Sequence, residues 1–74
     1  MKLEEFNGLN DRKRAALAMQ GNFVELRVED GLKVALYRHP NFYAEVYYDG
    51  AVNRIVRCRG FTSASMLAAY INPN

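Results

Sequence analysis

The chain has 74 residues, of which 50% are hydrophobic and 24% are charged, and it contains five glycines and two prolines. This length and composition predict one small globular domain over residues 1–74 and exclude a disordered chain. Ten basic and eight acidic residues give a formal net charge of +2. Such a balance permits nucleic-acid binding without favouring it, because proteins that neutralise phosphates usually carry a larger basic excess.

The sequence also argues against membrane, secreted and metal-binding classes. It contains no apolar run of about 18 residues, the length of a membrane-spanning helix. Residues 1–5 include acids and no apolar stretch, so we expect no signal peptide and a cytoplasmic location. The single cysteine, Cys58, excludes an internal disulfide and a metal site with several thiolates. We therefore expect no membrane contact, no metal and no cofactor.

Helical spacing dominates the first 20 residues. An interruption at Asn7-Gly8 predicts either two helices or one helix that bends near Gly8. Asn10 is a suitable N-cap for the second segment, because its side chain can accept a hydrogen bond from an unpaired backbone N–H. Gly21 is the expected end of that segment.

A period of two, the pattern of β-strands, runs from Phe23 to Arg59 and predicts an antiparallel meander of four strands. Turn signals separate the strands at Asp30-Gly31, His39-Pro40-Asn41 and Asp49-Gly50.

The strand registers follow from keeping the apolar side chains on one face, since a one-residue slip exchanges the two faces. A three-residue loop over 29–31 pairs Val28 with Leu32, and a three-residue loop over 39–41 pairs Leu36 with Ala44. A connection over 49–53 then pairs Ala44 with Cys58. The resulting apolar rows are Val24-Leu36-Ala44-Cys58 and Leu26-Val34-Val46-Val56, with a third row that contains Val28, Leu32 and Tyr48.

Helical spacing returns after the last strand. Thr62 or Ser63 can cap a short helix with Leu67, Tyr70 and Ile71 on one side. Such a helix is marginal alone and must dock on the apolar face of the sheet. We therefore predict an α+β fold of order α-β-β-β-β-α, a four-stranded antiparallel meander with an N-terminal helical segment and a C-terminal helix packed on one face.

Three stretches of the sequence resemble a known group of proteins. They are Gly21-Asn22-Phe23, Lys33-Val34-Ala35-Leu36-Tyr37, and Phe42-Tyr43-Ala44-Glu45-Val46-Tyr47-Tyr48-Asp49 followed by Asn53-Arg54-Ile55-Val56. On these residues the chain resembles a family of short, uncharacterised bacterial proteins that run helix, strand meander, helix. The resemblance implies this fold pattern and no function.

Two side chains with catalytic potential have simpler structural explanations. His39 precedes Pro40 in a turn that offers no nucleophile, so we expect a solvated histidine rather than a general base. Cys58 lies between Arg57 and Arg59, but neighbours along a strand point to the opposite face. We therefore expect a thiol in the core rather than an activated nucleophile, and no enzymatic activity.

The face opposite the apolar rows is the predicted binding surface. Both helical segments are used on the apolar face, so this second face should be open, and Tyr and Arg are enriched at binding hot spots. Glu45 should pair with Arg57 across the strands rather than act with Glu25, which lies two strands away. The candidate binding residues are Tyr37, Tyr43, Glu45, Tyr47, Arg57 and Arg59.

Two partners fit this surface, and a face that is merely solvated remains open as a third interpretation. We favour contact with a protein, which includes a second copy of the chain, since a two-fold dimer buries one patch twice. The alternative is weak binding of single-stranded nucleic acid, with bases stacked on tyrosines and phosphates on Arg57 and Arg59. The carboxylates of Glu25 and Glu45 on the same face oppose that alternative, because they repel phosphates.

Overall fold

The computed structural model describes residues 1–62 and 67–71, which form an α+β fold. The strands make one antiparallel sheet in the order β1-β2-β3-β4, which confirms the four-stranded meander. The predicted cap at Ser63 lies outside the described residues. The helices are α1 (Leu3–Asn7), α2 (Asp11–Ala18) and α3 (Ala68–Ile71), and the strands are β1 (Asn22–Glu29), β2 (Leu32–Arg38), β3 (Tyr43–Asp49) and β4 (Arg54–Phe61).

The N-terminal segment forms two helices rather than one bent helix. Asn10 caps α2 as predicted, since its Oδ1 accepts a hydrogen bond from the backbone N–H of Lys13 at 2.9 Å. Gly21 follows the end of α2, and a Cβ at this position would lie 2.5 Å from Nε2 of His39. The glycine therefore allows the loop between β2 and β3 to approach α2 closely.

The predicted registers of β2 were wrong by one residue on both sides. Its flanking loops cover residues 30–31 and 39–42, whereas the sequence analysis assigned three residues to each. Asp30 and Gly31 both have positive φ, at 51° and 81°, as a two-residue turn between strands requires. The second loop is longer because Phe42 is buried in the core, where its carbonyl accepts the N–H of His39 at 2.9 Å.

These two errors compensate one another, so β2 is turned over relative to the prediction, whereas Leu26 of β1 and Val46 of β3 keep their predicted face. Leu26 pairs with Ala35 instead of Val34, and Ala35 in turn pairs with Val46. The partner of Val46 moves by two residues, from Val56 to Cys58, because the loop between β3 and β4 covers 50–53 instead of 49–53 and because a bulge adds one further residue to β4. The apolar row of the structure is therefore Leu26-Ala35-Val46-Cys58.

The front face of the sheet is the one on which α1 and α2 pack, mainly over β3 and β4. Its core combines small residues of α2 with aromatic rings and with the inward side chains of β3 and β4. Cys58 lies in this core, as expected for a structural thiol, and burial raises the pKa of the thiol. The buried members of the front core are Phe6, Ala15, Ala18, Phe42, Ala44, Val46 and Cys58.

The back face of the sheet holds the side chains that alternate with the front core. Val34 and Leu36 are fully buried there, which is the consequence of turning β2 over. The hydroxyl of Tyr70 in α3 reaches Glu45 on this face. The prediction that the N-terminal helices and the C-terminal helix pack on one common face is therefore not confirmed.

Candidate functional site

Five of the six predicted binding residues share the back face, and the sixth does not. Tyr37 lies on the front face, because it belongs to the strand that is turned over, and it packs against the front core and the ring of Phe23. Tyr43 is half-buried and stacks on Phe61, with ring centroids 5.7 Å apart. Arg57 is exposed. The other members of the back-face set are Glu45, Tyr47 and Arg59.

Glu45 is the centre of a buried hydrogen-bonded cluster rather than part of an open surface. Its Oε1 accepts Nε of Arg59 at 2.6 Å and the hydroxyl of Tyr47 at 3.4 Å. Its Oε2 accepts the guanidinium of Arg27 at 3.1 Å and the hydroxyl of Tyr70 at 2.5 Å. These five side chains, which we call the back-face cluster, bring together β1, β3, β4 and α3. The cross-strand partner of Glu45 is Arg59, not Arg57 as predicted.

The hydrogen bonds of the back-face cluster compensate for the burial of a charge. Glu45 has a relative exposure of 0%, and a buried carboxylate is costly unless it is paired and hydrogen-bonded. Burial alone raises the pKa of this carboxyl group, but the hydrogen bonds from Tyr70, Arg59 and Arg27 outweigh burial and lower the pKa. The carboxylate therefore stays ionised, with both oxygens occupied.

Arginine side chains also cover Tyr47 from several directions. The guanidinium of Arg57 lies 5.2 Å from the centre of the Tyr47 ring, and those of Arg27 and Arg59 lie at 5.9 and 6.0 Å. At such distances a cation is attracted to the face of the ring. Tyr47 has a relative exposure of only 2%, so a base or a partner side chain cannot stack on it in this structure. The expectation of an open face was therefore wrong at Glu45 and Tyr47.

The back-face cluster predicts that the protein loses stability in acid. The pKa of Glu45 is below its ordinary value of 4.5 in the folded chain, so the unfolded chain binds the proton first as the pH falls. The contribution of Glu45 is fully present above pH 4.5 and is lost as the pH falls through the folded pKa. Urea denaturation at several acidic pH values should show a steeper loss for the wild type than for Glu45→Gln. Equal slopes in the two proteins would contradict the assignment.

His39 has a structural contact instead of the solvated position expected. Its Nε2 lies 3.0 Å from the carbonyl oxygen of Ala18, and its ring stacks on Phe42 at 4.7 Å. The histidine thus connects the end of α2 to the loop between β2 and β3. Beside it lies a cleft of about 400 Å³ that is lined by Arg38, His39, Pro40, Asn41, Phe42, Tyr43 and Thr62. Among the described residues, the hydrogen-bond partner of the His39 ring is the carbonyl oxygen of Ala18 rather than a side chain of the cleft.

A group of exposed apolar side chains lies on the front face of the sheet. Phe23, Leu26 and Val28 on β1 have relative exposures of 59%, 48% and 70%. We call them the front patch together with Met19 and Ile55, which are also exposed. A groove of about 250 Å³ crosses this region, and its lining is Met19, Leu26, Lys33, Ala35, Tyr37, Val46, Tyr48 and Ile55.

The front patch and its groove have a common origin in the orientation of β2. Because β2 is turned over, the small side chain of Ala35 occupies the middle of the front face, where the sequence analysis placed Val34. Leu26, the neighbour of Ala35, consequently stays half exposed at the rim of the groove. Sequence reasoning missed this surface because it assigned Leu26 and Val28 to the core. The signal that could have found it is Asp30-Gly31, which is typical of a two-residue turn.

β1 is also an edge of the sheet. Among the described residues, β2 is the one strand that pairs with β1. An edge strand offers a row of backbone N–H and C=O groups for pairing with another chain. On the back face β1 carries the charged series Glu25, Arg27 and Glu29, in which Arg27 is held by Glu29 at 2.6 Å and by Glu45 at 3.1 Å.

Comparison with known proteins found no matching family, no matching curated protein and no matching solved structure. The resemblance to the family of short bacterial proteins therefore stays a prediction. In the described part of the chain, no helix is long and apolar enough to cross a membrane. Nor do residues 1–62 and 67–71 bring three or more His, Cys, Asp or Glu side chains together in a group that could hold a metal ion.

Proposed function

We propose that the chain is a non-catalytic protein-interaction module that binds a polypeptide along β1 and the front patch. The observation that carries the proposal is the exposure of β1, an edge strand of eight residues in which Arg27 alone is half-buried. Strand addition to such an edge is a common mode of polypeptide recognition, because backbone hydrogen bonds supply affinity and side-chain contacts supply specificity. The cytoplasmic location expected from the sequence remains part of this proposal.

The front patch supplies the apolar contact that strand addition alone lacks. Phe23, Leu26 and Val28 are neighbours on one strand and are each about half exposed or more. Contiguous apolar surface of this kind on a small protein usually marks an interaction site. The groove beside Leu26 can accept side chains of an added strand, since the small side chain of Ala35 leaves space at the bottom of the groove.

The back face is less suited to a partner than β1 and the front patch are. This holds both for contact with a protein and for binding of single-stranded nucleic acid. Tyr47 and Glu45 are buried, and the charges of Arg27 and Arg59 are engaged by Glu45. Binding of single-stranded nucleic acid needs exposed rings for stacking and free cations for phosphates. Arg57 is the one exposed cation among the predicted binding residues.

Site-specific photo-crosslinking in living cells tests the proposed function. A benzoylphenylalanine that replaces Val28 should form an adduct with a polypeptide when it is irradiated. The matched control replaces Val52, which is similarly exposed at 57% but lies in the loop between β3 and β4. An adduct at position 28 with none at position 52 supports the proposal. No adduct at position 28, or equal adducts at both positions, overturns it.

A further inference from the structure

We propose that the polypeptide bound along β1 is a second copy of this chain, with the two β1 strands antiparallel about a two-fold axis at Leu26. This inference rests on the proposed function and specifies its partner. Two observations lead to it, namely the direction of the free backbone groups of β1 and the order of charges along the strand. A two-fold arrangement makes one strand edge bind its own copy.

The two-residue turn determines which backbone N–H and C=O groups of β1 pair with β2 and which point away from the sheet. Glu29 and Leu32 flank the turn and exchange hydrogen bonds with each other, as residues in this position of a two-residue hairpin do. Hydrogen-bonded and non-hydrogen-bonded pairs then alternate along the ladder. The N–H and C=O groups of Arg27 and Glu25 consequently point to β2, whereas those of Val28 and Leu26 point away from the sheet.

The outward-pointing groups of Val28 and Leu26 allow few antiparallel registers between two copies of β1, and charge selects among them. In the single chain the outward N–H of Leu26 donates to Oε1 of Glu25 at 3.3 Å, so the pairing of two β1 strands replaces this contact. If Val28 pairs with the partner's Leu26, then Arg27 lies opposite the partner's Arg27. Like charges that lie directly opposite across two strands are destabilising, so this register is disfavoured.

In a second register Val28 pairs with the partner's Val28. This register leaves Leu26 without an apolar partner. It places Leu26 opposite the partner's Asp30, which belongs to the turn. It also sets Arg27 against the partner's Glu29, although Glu29 already binds Arg27 within each chain at 2.6 Å. Little new attraction is gained.

The register centred on Leu26 satisfies both faces of the sheet. On the back face it places Glu25 opposite the partner's Arg27, and the two-fold axis repeats this ion pair. On the front face Leu26 meets the partner's Leu26, and Val28 extends toward the partner's bulge, which contains Val24. The bulge between Phe23 and Glu25 limits regular pairing to the part of β1 that follows it. Glu25 forms no salt bridge within the described residues, so the partner's Arg27 supplies it with a cation, in addition to the Glu29 and Glu45 carboxylates that hold Arg27 in each chain.

Cysteine crosslinking tests the register directly. In the proposed dimer, the Cα atoms of the two Leu26 residues lie about 5.5 Å apart, within the range of a disulfide. Each Val28 lies about 14 Å along the strand from the partner's Val28, which is too far. Leu26→Cys should therefore form a disulfide-linked dimer on mild oxidation, and Val28→Cys should not. The buried Cys58 can stay in both variants.

A charge reversal tests the same dimer without crosslinking. Glu25→Arg should weaken self-association about tenfold or more in sedimentation equilibrium, because it places two cations opposite each other twice. Glu4→Arg is the matched control, since it makes the same charge change at an exposed residue of α1. Association that weakens equally in the two variants would show a general charge effect and overturn the inference.

The remaining outcomes also decide the inference. Linkage of Val28→Cys alone, linkage of both cysteine variants, or a wild type that is monomeric at all concentrations overturns it. The proposed function survives that result if the photo-crosslinker at position 28 still forms an adduct with a different protein. An adduct with twice the mass of the chain supports the proposed function and the inference together.

Discussion

Glu45→Ala is expected to lower the free energy of unfolding by about 3 kcal/mol, because removing one partner of a buried ion pair leaves the other charges uncompensated. Arg27 and Arg59 would lose their common acceptor, and the hydroxyls of Tyr47 and Tyr70 would lose theirs. The expected loss of stability is at the low end for buried ion pairs, since the side chain of Arg59 has a relative exposure of 33%. Urea denaturation of the monomer measures the change.

Glu25→Ala is the control for this prediction. Glu25 is exposed at the edge strand, and its hydrogen bond within the described residues is a local one, accepted from the N–H of Leu26. Its loss should change the stability of the monomer by less than about 0.5 kcal/mol. A double-mutant cycle with Tyr70→Phe then isolates the contribution of α3, and a coupling energy near zero between Glu45 and Tyr70 would contradict the cluster described above.

Phe6→Ala is expected to cost about 3–5 kcal/mol, the range for deleting a large aromatic side chain from a core. Phe6 is fully buried, and its ring lies 5.1 Å from that of Phe42. α1 has only five residues, so it depends on this side chain to stay docked against β4. Gly60 of β4 supports the contact, because a Cβ there would lie 2.6 Å from Leu3 and 3.0 Å from Phe6.

The matched control for Phe6 is Phe23→Ala, which removes the same side chain from an exposed position on β1. Measured on the monomer, it should cost less than about 1 kcal/mol. Hydrogen exchange should also show that the amides of α1 lose protection in Phe6→Ala and keep it in Phe23→Ala. Equal losses of stability in the two variants would show that α1 does not depend on Phe6.

Local signals in the sequence were enough to predict the N-terminal helical segment and the four-stranded sheet. Asn10 was identified as a cap, and the change from helical to alternating spacing near Phe23 marked the start of the sheet. A helix cap and the spacing of apolar residues both depend on residues that are close together in the chain. They can therefore be recognised without knowledge of distant contacts. The four strands and their antiparallel order followed in the same way.

The orientation of β2 was predicted wrongly, because it depends on whether Asp30-Gly31 forms a turn of two or three residues. The predicted turn of three residues places Val28, Leu32 and Val34 on one face. In the structure both faces are buried in part, with Val34 and Leu36 behind the sheet and Val46 in front. A rule that requires one apolar face fails when both faces have a core.

The buried position of Glu45 was beyond local reasoning for a different reason. Alternation places Glu45 on the face that seemed polar, and distant residues, namely Arg27, Arg59 and Tyr70, make its burial tolerable. Tyr70 is 25 positions away along the chain. The exposed edge was missed as a direct result of the register, since Leu26 and Val28 were counted as core.

The two loops that flank β2 also determine which insertions and deletions the chain can accept during its evolution. Adding one residue to the turn at Asp30-Gly31 would turn over every strand on one side of it and expose a core to water. A compensating deletion in the loop over residues 39–42 would restore β3 and β4 and confine the change to β2. Changes in length at these two loops should therefore be inherited as pairs, although the loops lie at opposite ends of the strand.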